Sequence, residues 1–168
     1  MQAKEQLFND LVRQYSERLY WHVRSMVGSH EDADDLLQDI FIKVWNSLDT
    51  FRGDSEVFTW LWRIATNETI SHLRKARVRA ALSFTSLDAQ AERVSDPDPR
   101  IDGDAVMRRL RVALMKLPDK QRLVFGMRYW EELSYEQISE ITGTSVGALK
   151  ASYHFAYEKV KQFLTDND

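Results

Sequence analysis

Two prolines set two positions apart, in Ser95-Asp96-Pro97-Asp98-Pro99-Arg100, divide this chain more firmly than any other feature of it. A proline has no N–H to donate, clashes with the preceding turn, and pushes the residue before it toward extended backbone. No helix runs through such a pair. With Gly103 and an excess of six acidic over two basic residues around it, the stretch 81–104 reads as a linker. Residues 1–80 and 105–168 then form two separate small domains. Leu82, Phe84 and Leu87 are expected to dock onto one of them.

Both flanks carry a helical period. Phe8, Leu11, Val12, Tyr15, Leu19, Val23 and Met26 share one face of a first helix, which Gly28 ends. Ser29 and Asp32, three apart, cap the start of a second helix. Its buried stripe is Ala33, Leu36, Leu37, Ile40, Phe41, Val44 and Leu48. Phe51-Arg52-Gly53-Asp54-Ser55 is a turn, and a third helix spans residues 56–79. Beyond the linker, Val106, Leu110, Ala113, Leu114 and Leu117 mark a fourth helix closed by Pro118, and a fifth covers 119–130. No alternating strand pattern of useful length appears. The fold class is all-α, two small helical domains joined by an acidic linker, the C-terminal one a helix-turn-helix.

That last assignment comes from Ser134-Tyr135-Glu136-Gln137, a capping box ahead of the apolar edge Ile138 and Ile141. Gly143 follows, where a left-handed residue ends a helix. Thr144 and Ser145 offer the next N-cap, and Leu149, Tyr153, Ala156, Val160 and Phe163 give the next helix a core face. Two helices joined by a tight glycine turn make a helix-turn-helix, whose second helix normally enters the major groove by its N-terminal end. Ser145, Gly147, Ala148, Lys150, Ala151 and His154 are the candidate DNA contacts. An ordinary helical hairpin is the competing reading. Lys116, Lys120, Arg122 and Arg128 nearby favour a phosphate-facing surface.

The second helix has an outer face of Asp35, Gln38, Asp39, Ile42 and Trp45 or Asn46. Acids near a helix N-terminus are stabilised by the helix dipole, so Asp32, Asp34 and Asp35 need no functional reason. The dipole does not explain the apolar strip of Ile42 and Trp45 beside them, which points to a protein-binding face. A metal or acid–base site is disfavoured, since no histidine is expected at a matching i+3 or i+4 position. In the third helix Trp60, Arg63, Asn67, Ser71 and Arg74 recur at helical steps, with Lys75, Arg77 and Arg79 extending the basic end. Bases of melted DNA stack on aromatics while arginines hold the backbone. Phe58, Trp60 and Trp62 also suggest a pocket for a flipped base. The competing reading places these aromatics in the core, and it is preferred for Phe58 and Trp62.

Three stretches in order resemble the extracytoplasmic-function group of bacterial RNA polymerase sigma factors. They are Asp32-Ala33-Asp34-Asp35-Leu36-Leu37-Gln38-Asp39-Ile40-Phe41-Ile42-Lys43-Val44-Trp45, then Phe58-Thr59-Trp60-Leu61-Trp62-Arg63-Ile64-Ala65-Thr66-Asn67, then Leu117-Pro118 through Ala156. The resemblance implies a dissociable polymerase subunit that binds core polymerase, recognises promoter DNA and helps melt it. Asp35, Gln38, Asp39 and Ile42 would dock on the clamp helices of the largest polymerase subunit. Phe51, Arg52, Trp60, Arg63, Asn67, Ser71 and Arg74 would read and melt the minus-ten element. The helix-turn-helix would read the minus-thirty-five element and grip a flap of the second-largest subunit. An anti-sigma factor is an implied partner. The chain departs from many members by having Ser152 and Phe155 where arginines are common, and alanine at 148 and 151 where hydroxyl residues are frequent. Fewer phosphate contacts are then available from this helix.

Composition agrees. A net charge of −3 argues against a stand-alone basic DNA binder, unless polymerase supplies most of the DNA affinity. The acidic linker is expected to shield the DNA-binding faces through Asp96, Asp98, Asp102 and Asp104. There are no cysteines, a polar start without a signal peptide's apolar stretch, and no run near the roughly 20 apolar residues of a spanning helix, so a cytoplasmic protein without membrane insertion is expected. No cofactor, metal or catalytic site is expected, and the chain does not read as an enzyme. The runner-up function is a sigma-like adaptor that sequesters an anti-sigma protein without initiating transcription. A stand-alone helix-turn-helix repressor explains only the last third of the chain.

Overall fold

The computed structural model describes residues 2–82 and 104–166, and their regular structure is helical throughout. Seven α-helices follow one another among these residues: α1 (Gln2–Arg24), α2 (His30–Ser47), α3 (Val57–Leu82), α4 (Ala105–Met115), α5 (Asp119–Tyr129), α6 (Tyr135–Thr142) and α7 (Val146–Asp166). A short 3-10 turn, Leu48–Thr50, carries α2 into the loop before α3.

The helix ends follow local chemistry. Ser29 caps α2 by accepting the Asp32 N–H at 3.1 Å. Ser134 and Gln137 form a complete reciprocal capping box on α6. Gly143, at φ +74°, ends that helix in the left-handed region, and Ser145 Oγ accepts the Ala148 N–H at 3.2 Å to start α7. Asp104, expected in the acidic shield, is instead the N-cap of α4 and accepts the Val106 N–H at 3.0 Å. A carboxylate at a helix N-terminus satisfies an orphan donor and meets the positive end of the dipole. The third helix runs three residues past its expected end. Leu82 lies there 76% exposed, so its expected docking is not observed. Phe84 and Leu87, and the linker residues Asp96, Asp98 and Asp102, lie outside the described residues.

The first half is a three-helix unit in which α1 and α3 both pack on α2. Leu11, Leu19, Val23, Met26, Ala33, Leu36, Ile40, Val44, Leu48, Leu61, Trp62 and Ala65 are its buried interior. In the second half α4 and α5 both pack on α7. Leu110, Ala113, Leu114, Leu117, Phe125, Ala156 and Val160 form a small core there.

The two halves also pack on each other. Leu123, Val124, Met127, Leu133, Ile138, Ile141 and Leu149 belong to the same buried cluster as the interior of the first half, and α3 lies along α6. Domains this small bury a modest share of their surface alone, and docking removes further apolar area from water. A Cβ built on Gly126 of α5 would stand 3.1 Å from Ser25 Oγ, just beyond the end of α1. A side chain at 126 would ask the Ser25 hydroxyl to give by a few tenths of an ångström, whereas glycine is favoured at 143 by its positive φ.

Gly143 and Gly147 both have open space where a Cβ would go, but only Gly143 has a positive φ. Gly143→Ala should therefore destabilise the protein by roughly 1–2 kcal/mol through the left-handed penalty. Gly147→Ala should stabilise it, by up to about 1 kcal/mol through helix propensity. Chemical denaturation of the two variants checks the opposite signs.

Candidate functional site

Alternation of the buried stripe of α2 leaves Asp35, Gln38, Asp39 and Ile42 together on its outer face, all exposed. Ile42 is 60% exposed, an aliphatic side chain set beside the carboxylates. Trp45 does not extend this strip. Its ring meets Phe8 edge-on at 5.3 Å and lies under Lys4 Nζ at 4.3 Å, so α1 covers it. Asn46, the alternative at that end, is exposed. At Asp34, one position before this face, His30 Nε2 pairs with Oδ2 at 3.0 Å, while the His30 Nδ1 lies 2.7 Å from the Tyr20 hydroxyl.

In α3 the aromatics divide by face. Phe58 and Trp62 are one turn apart. Trp62 is fully buried and Phe58 stacks on it at 4.1 Å, with the Arg18 guanidinium over both rings. This is the core reading preferred from the sequence. Trp60 lies on the other side, half-buried, its ring 4.6 Å from Phe51 of the preceding turn. The three rings therefore do not line a common pocket; Phe51 and Trp60 form a pair instead. Arg52, Arg63, Asn67 and Arg74 are exposed, and Ser71 is half-buried. The stripe is thus brought together on one face. One member is engaged in the closed molecule: Arg63 Nε donates to the Glu140 carbonyl of α6 at 2.8 Å. Arg77, farther along α3, pairs with Asp119 at the start of α5.

In the helix-turn-helix, Ser145, Gly147, Ala148, Lys150, Ala151 and His154 are all exposed at and just after the start of α7. Leu149 is buried behind them and Ile138 and Ile141 hold α6 against the interior. Ser145 spends its hydroxyl on capping. The expected basic surroundings are only partly present. Lys116 and Lys120 are exposed, but Arg122 is 4% exposed. It donates from Nη1 to the Leu117 carbonyl at 3.1 Å and from Nη2 to Asp119 Oδ1 at 3.3 Å. Burial, with the Arg77 charge nearby, pushes its pKa down to about 10, leaving it charged at neutral pH. Arg128 donates to the Leu133 carbonyl at 2.8 Å and lies 4.5 Å over the Tyr135 ring. Both arginines tie the loop and turn together and are not offered to phosphates. A helix-period reading places a residue on a face but does not see a carbonyl that captures it.

One cluster was missed altogether. Glu131, between α5 and α6, inserts its carboxylate between two side chains of the first half. Oε1 accepts the Trp62 Nε1–H at 2.8 Å, and Oε2 lies 2.7 Å from His22 Nδ1. His22 is 1% exposed, and its Nε2 sits 3.3 Å from Thr66 Oγ1. Burial pushes the Glu131 carboxyl up. The His22 charge, hydrogen bonds from His22 and Trp62, and the Arg18 charge outweigh it and hold the group below its ordinary value of 4.5. The carboxylate is ionised near neutrality and only accepts, so His22 Nδ1 carries the proton between them. The partners are 69 and 109 residues apart in sequence, a separation no local pattern reports.

Comparison with known proteins accounts for both halves. The family model for Sigma-70 region 2 matches residues 11–79, and that for Sigma-70 region 4 matches residues 107–160. SigW, an ECF RNA polymerase sigma factor of Bacillus subtilis, is 32% identical over 167 residues, spanning 95% of this chain and 89% of SigW. The chain belongs to the extracytoplasmic-function group of RNA polymerase sigma factors. The ECF sigma-E factor of Escherichia coli K12 is 29% identical to this sigma factor over 164 residues, 93% of the chain and 85% of sigma-E. Sigma factor RpoE of Bartonella quintana, solved in complex with the anti-sigma factor NepR, superposes with a TM-score of 0.76 at 25% identity, covering 94% of this chain and 96% of that one. No helix among the described residues is long and apolar enough to cross a membrane.

A carboxyl held below its unfolded value stabilises the fold above that value, and the contribution disappears as pH falls through it. Glu131→Gln should therefore melt at a lower temperature than the wild type at pH 7. The gap should shrink as pH falls from about 5 to about 3, below the ordinary glutamate range. Circular dichroism melts at matched ionic strength check the convergence.

Proposed function

We propose that this sigma factor binds core RNA polymerase through two sites at once, places two DNA readers on the promoter, and supports melting of the downstream element. It is a dissociable specificity subunit; the polymerase performs the chemistry, and the factor is not itself an enzyme. Two linked docking sites gain from effective concentration. Residues 1–80 form the core-binding and minus-ten domain, 81–104 the linker and 105–168 the minus-thirty-five domain, and the protein works in the cytoplasm.

The residue roles follow from exposure and chemistry. Asp35, Gln38, Asp39 and Ile42 present carboxylates around an uncovered aliphatic side chain, which suits a protein partner, and the clamp helices of the largest subunit are assigned to it. The Phe51–Trp60 pair with Arg52, Arg63, Asn67, Ser71 and Arg74 is assigned to the minus-ten element. Stacking on such aromatics is worth roughly 1–3 kcal/mol per base. The exposed start of α7, from Ser145 to His154, is assigned to the minus-thirty-five element, and the flap of the second-largest subunit to the same domain. RpoE of Bartonella quintana was solved with an anti-sigma factor, and a partner of that kind is proposed here too. The observation carrying the reading is the match to SigW over nearly the full length of both chains, with the α2 face and the start of α7 exposed.

The test is run-off transcription from the promoter of the protein's own operon with purified core polymerase. Specific transcripts should appear only when the protein is added. Core binding and transcripts both absent would overturn the reading. Trp60→Ala should weaken open-complex formation by about tenfold or more, the equivalent of one lost base stack, with core binding intact. Asp39→Arg should lose core binding; normal binding by that variant would remove the acidic face of α2 from the docking site.

A further inference from the structure

Glu131 occupies a place built for a carboxylate. Both of its donors, His22 and Trp62, belong to the first domain, on α1 and α3, and first-domain contacts hold them in position. Thr66 Oγ1 lies 3.3 Å from the far nitrogen of His22. Trp62 is fully buried, packed between Phe58 at 4.1 Å and Tyr15 at 5.9 Å, so its indole N–H has one direction to point. The Arg18 guanidinium lies over the Phe58 and Trp62 rings at 4.8 and 5.3 Å. Two fixed N–H donors aimed at one point, with a cation beside them, match both oxygens of a carboxylate.

The side chain that fills this place is delivered from outside the domain. Glu131 belongs to the loop after α5, and the next residue, Glu132, holds φ at +56°, the one non-glycine residue with positive φ among those described. Such backbone is uncommon and is held by its surroundings. The loop is locked by Arg128 on the Leu133 carbonyl and by the Leu133 N–H on the Met127 carbonyl at 3.0 Å. A rigid loop thus presents a carboxylate to a rigid receptor in the other domain.

We propose that His22, Trp62 and Arg18 form a carboxylate-binding site of the first domain, filled in cis by Glu131 and exchangeable for an acidic side chain of a partner polypeptide. Exchange follows from the geometry. Separating the domains removes the ligand and leaves the donors in place, so a partner that inserts between α3 and the loop after α5 meets a preformed acceptor for Asp or Glu. The same separation releases Arg63 from the Glu140 carbonyl and Arg77 from Asp119. Acidic residues on such a partner and exposure of the α3 stripe are therefore linked. The binding chemistry is independent of the promoter reading, since it holds or fails whether or not Arg63 meets DNA.

The test uses the full chain and the indole N–H resonance of Trp62. In Glu131→Ala, sodium acetate should shift that resonance saturably in the millimolar range, while equal sodium chloride or acetamide should not. The wild type, whose site is filled, should show no saturable response. Adding His22→Phe to Glu131→Ala should abolish the saturable component. If Glu131→Ala does not fold, Glu131→Gln keeps the shape of the side chain, and an oligoglutamate peptide should then displace the weaker neutral amide and move the same resonance. A response to acetate indistinguishable from that to chloride and acetamide, an equal response in the wild type, or a folded Glu131→Gln unmoved by the peptide would each overturn the proposal.

Discussion

The Glu131 carboxylate, held between the Trp62 indole and the His22 imidazole, is the contact on which the arrangement of this molecule turns. An ionised group taken largely out of water is tolerated only where directed donors replace its hydration. Here those donors come from the first domain and the carboxylate from the second. The polar contact is satisfied only where both donors meet the one carboxylate, a directional demand that apolar surfaces do not make. Once it is made, Ser25 stands beside Gly126, α3 runs along α6, and Arg63 and Arg77 reach acceptors on the second domain. Apolar burial supplies most of the driving force for docking; the Glu131 cluster adds directed contacts across it.

The consequence for function is a division of surfaces. The outer face of α2 and the start of α7 remain open in the closed molecule, with Asp35, Gln38, Asp39 and Ile42 on one and Lys150 and His154 on the other. The α3 stripe is different. Its upper part leans on α6 through Arg63, while Arg74 and the Phe51–Trp60 pair lie outside that contact. The closed molecule thus leaves two of the three candidate faces open and the third partly engaged.

Much of this was legible in the sequence, and the reasons are local. Ser29, Ser134, Gly143 and Ser145 act within four residues of themselves, so their roles follow from spacing. The buried stripes of α1 and α2 follow from period, and the resemblance carried by the α2 and α3 motifs pointed to the family. What could not be read is nonlocal. Arg122 and Arg128 look like phosphate ligands by charge, yet carbonyls of the adjoining turns capture them. Trp45 looks exposed by period, yet Phe8 and Lys4 of α1 cover it. His22 and Glu131 are a lone histidine on an apolar face and a glutamate in a loop. Nothing in either segment refers to the other, and only the docked fold gives them a shared purpose.

Gly126 has a consequence of its own. It faces Ser25, just past the end of α1, away from the α2 face, the α3 stripe and the start of α7. A side chain placed there acts as a shim. A methyl there would ask the Ser25 hydroxyl to give by a few tenths of an ångström, at a point outside the candidate faces. The fit of the two domains is therefore sensitive to volume at a position remote from every candidate contact.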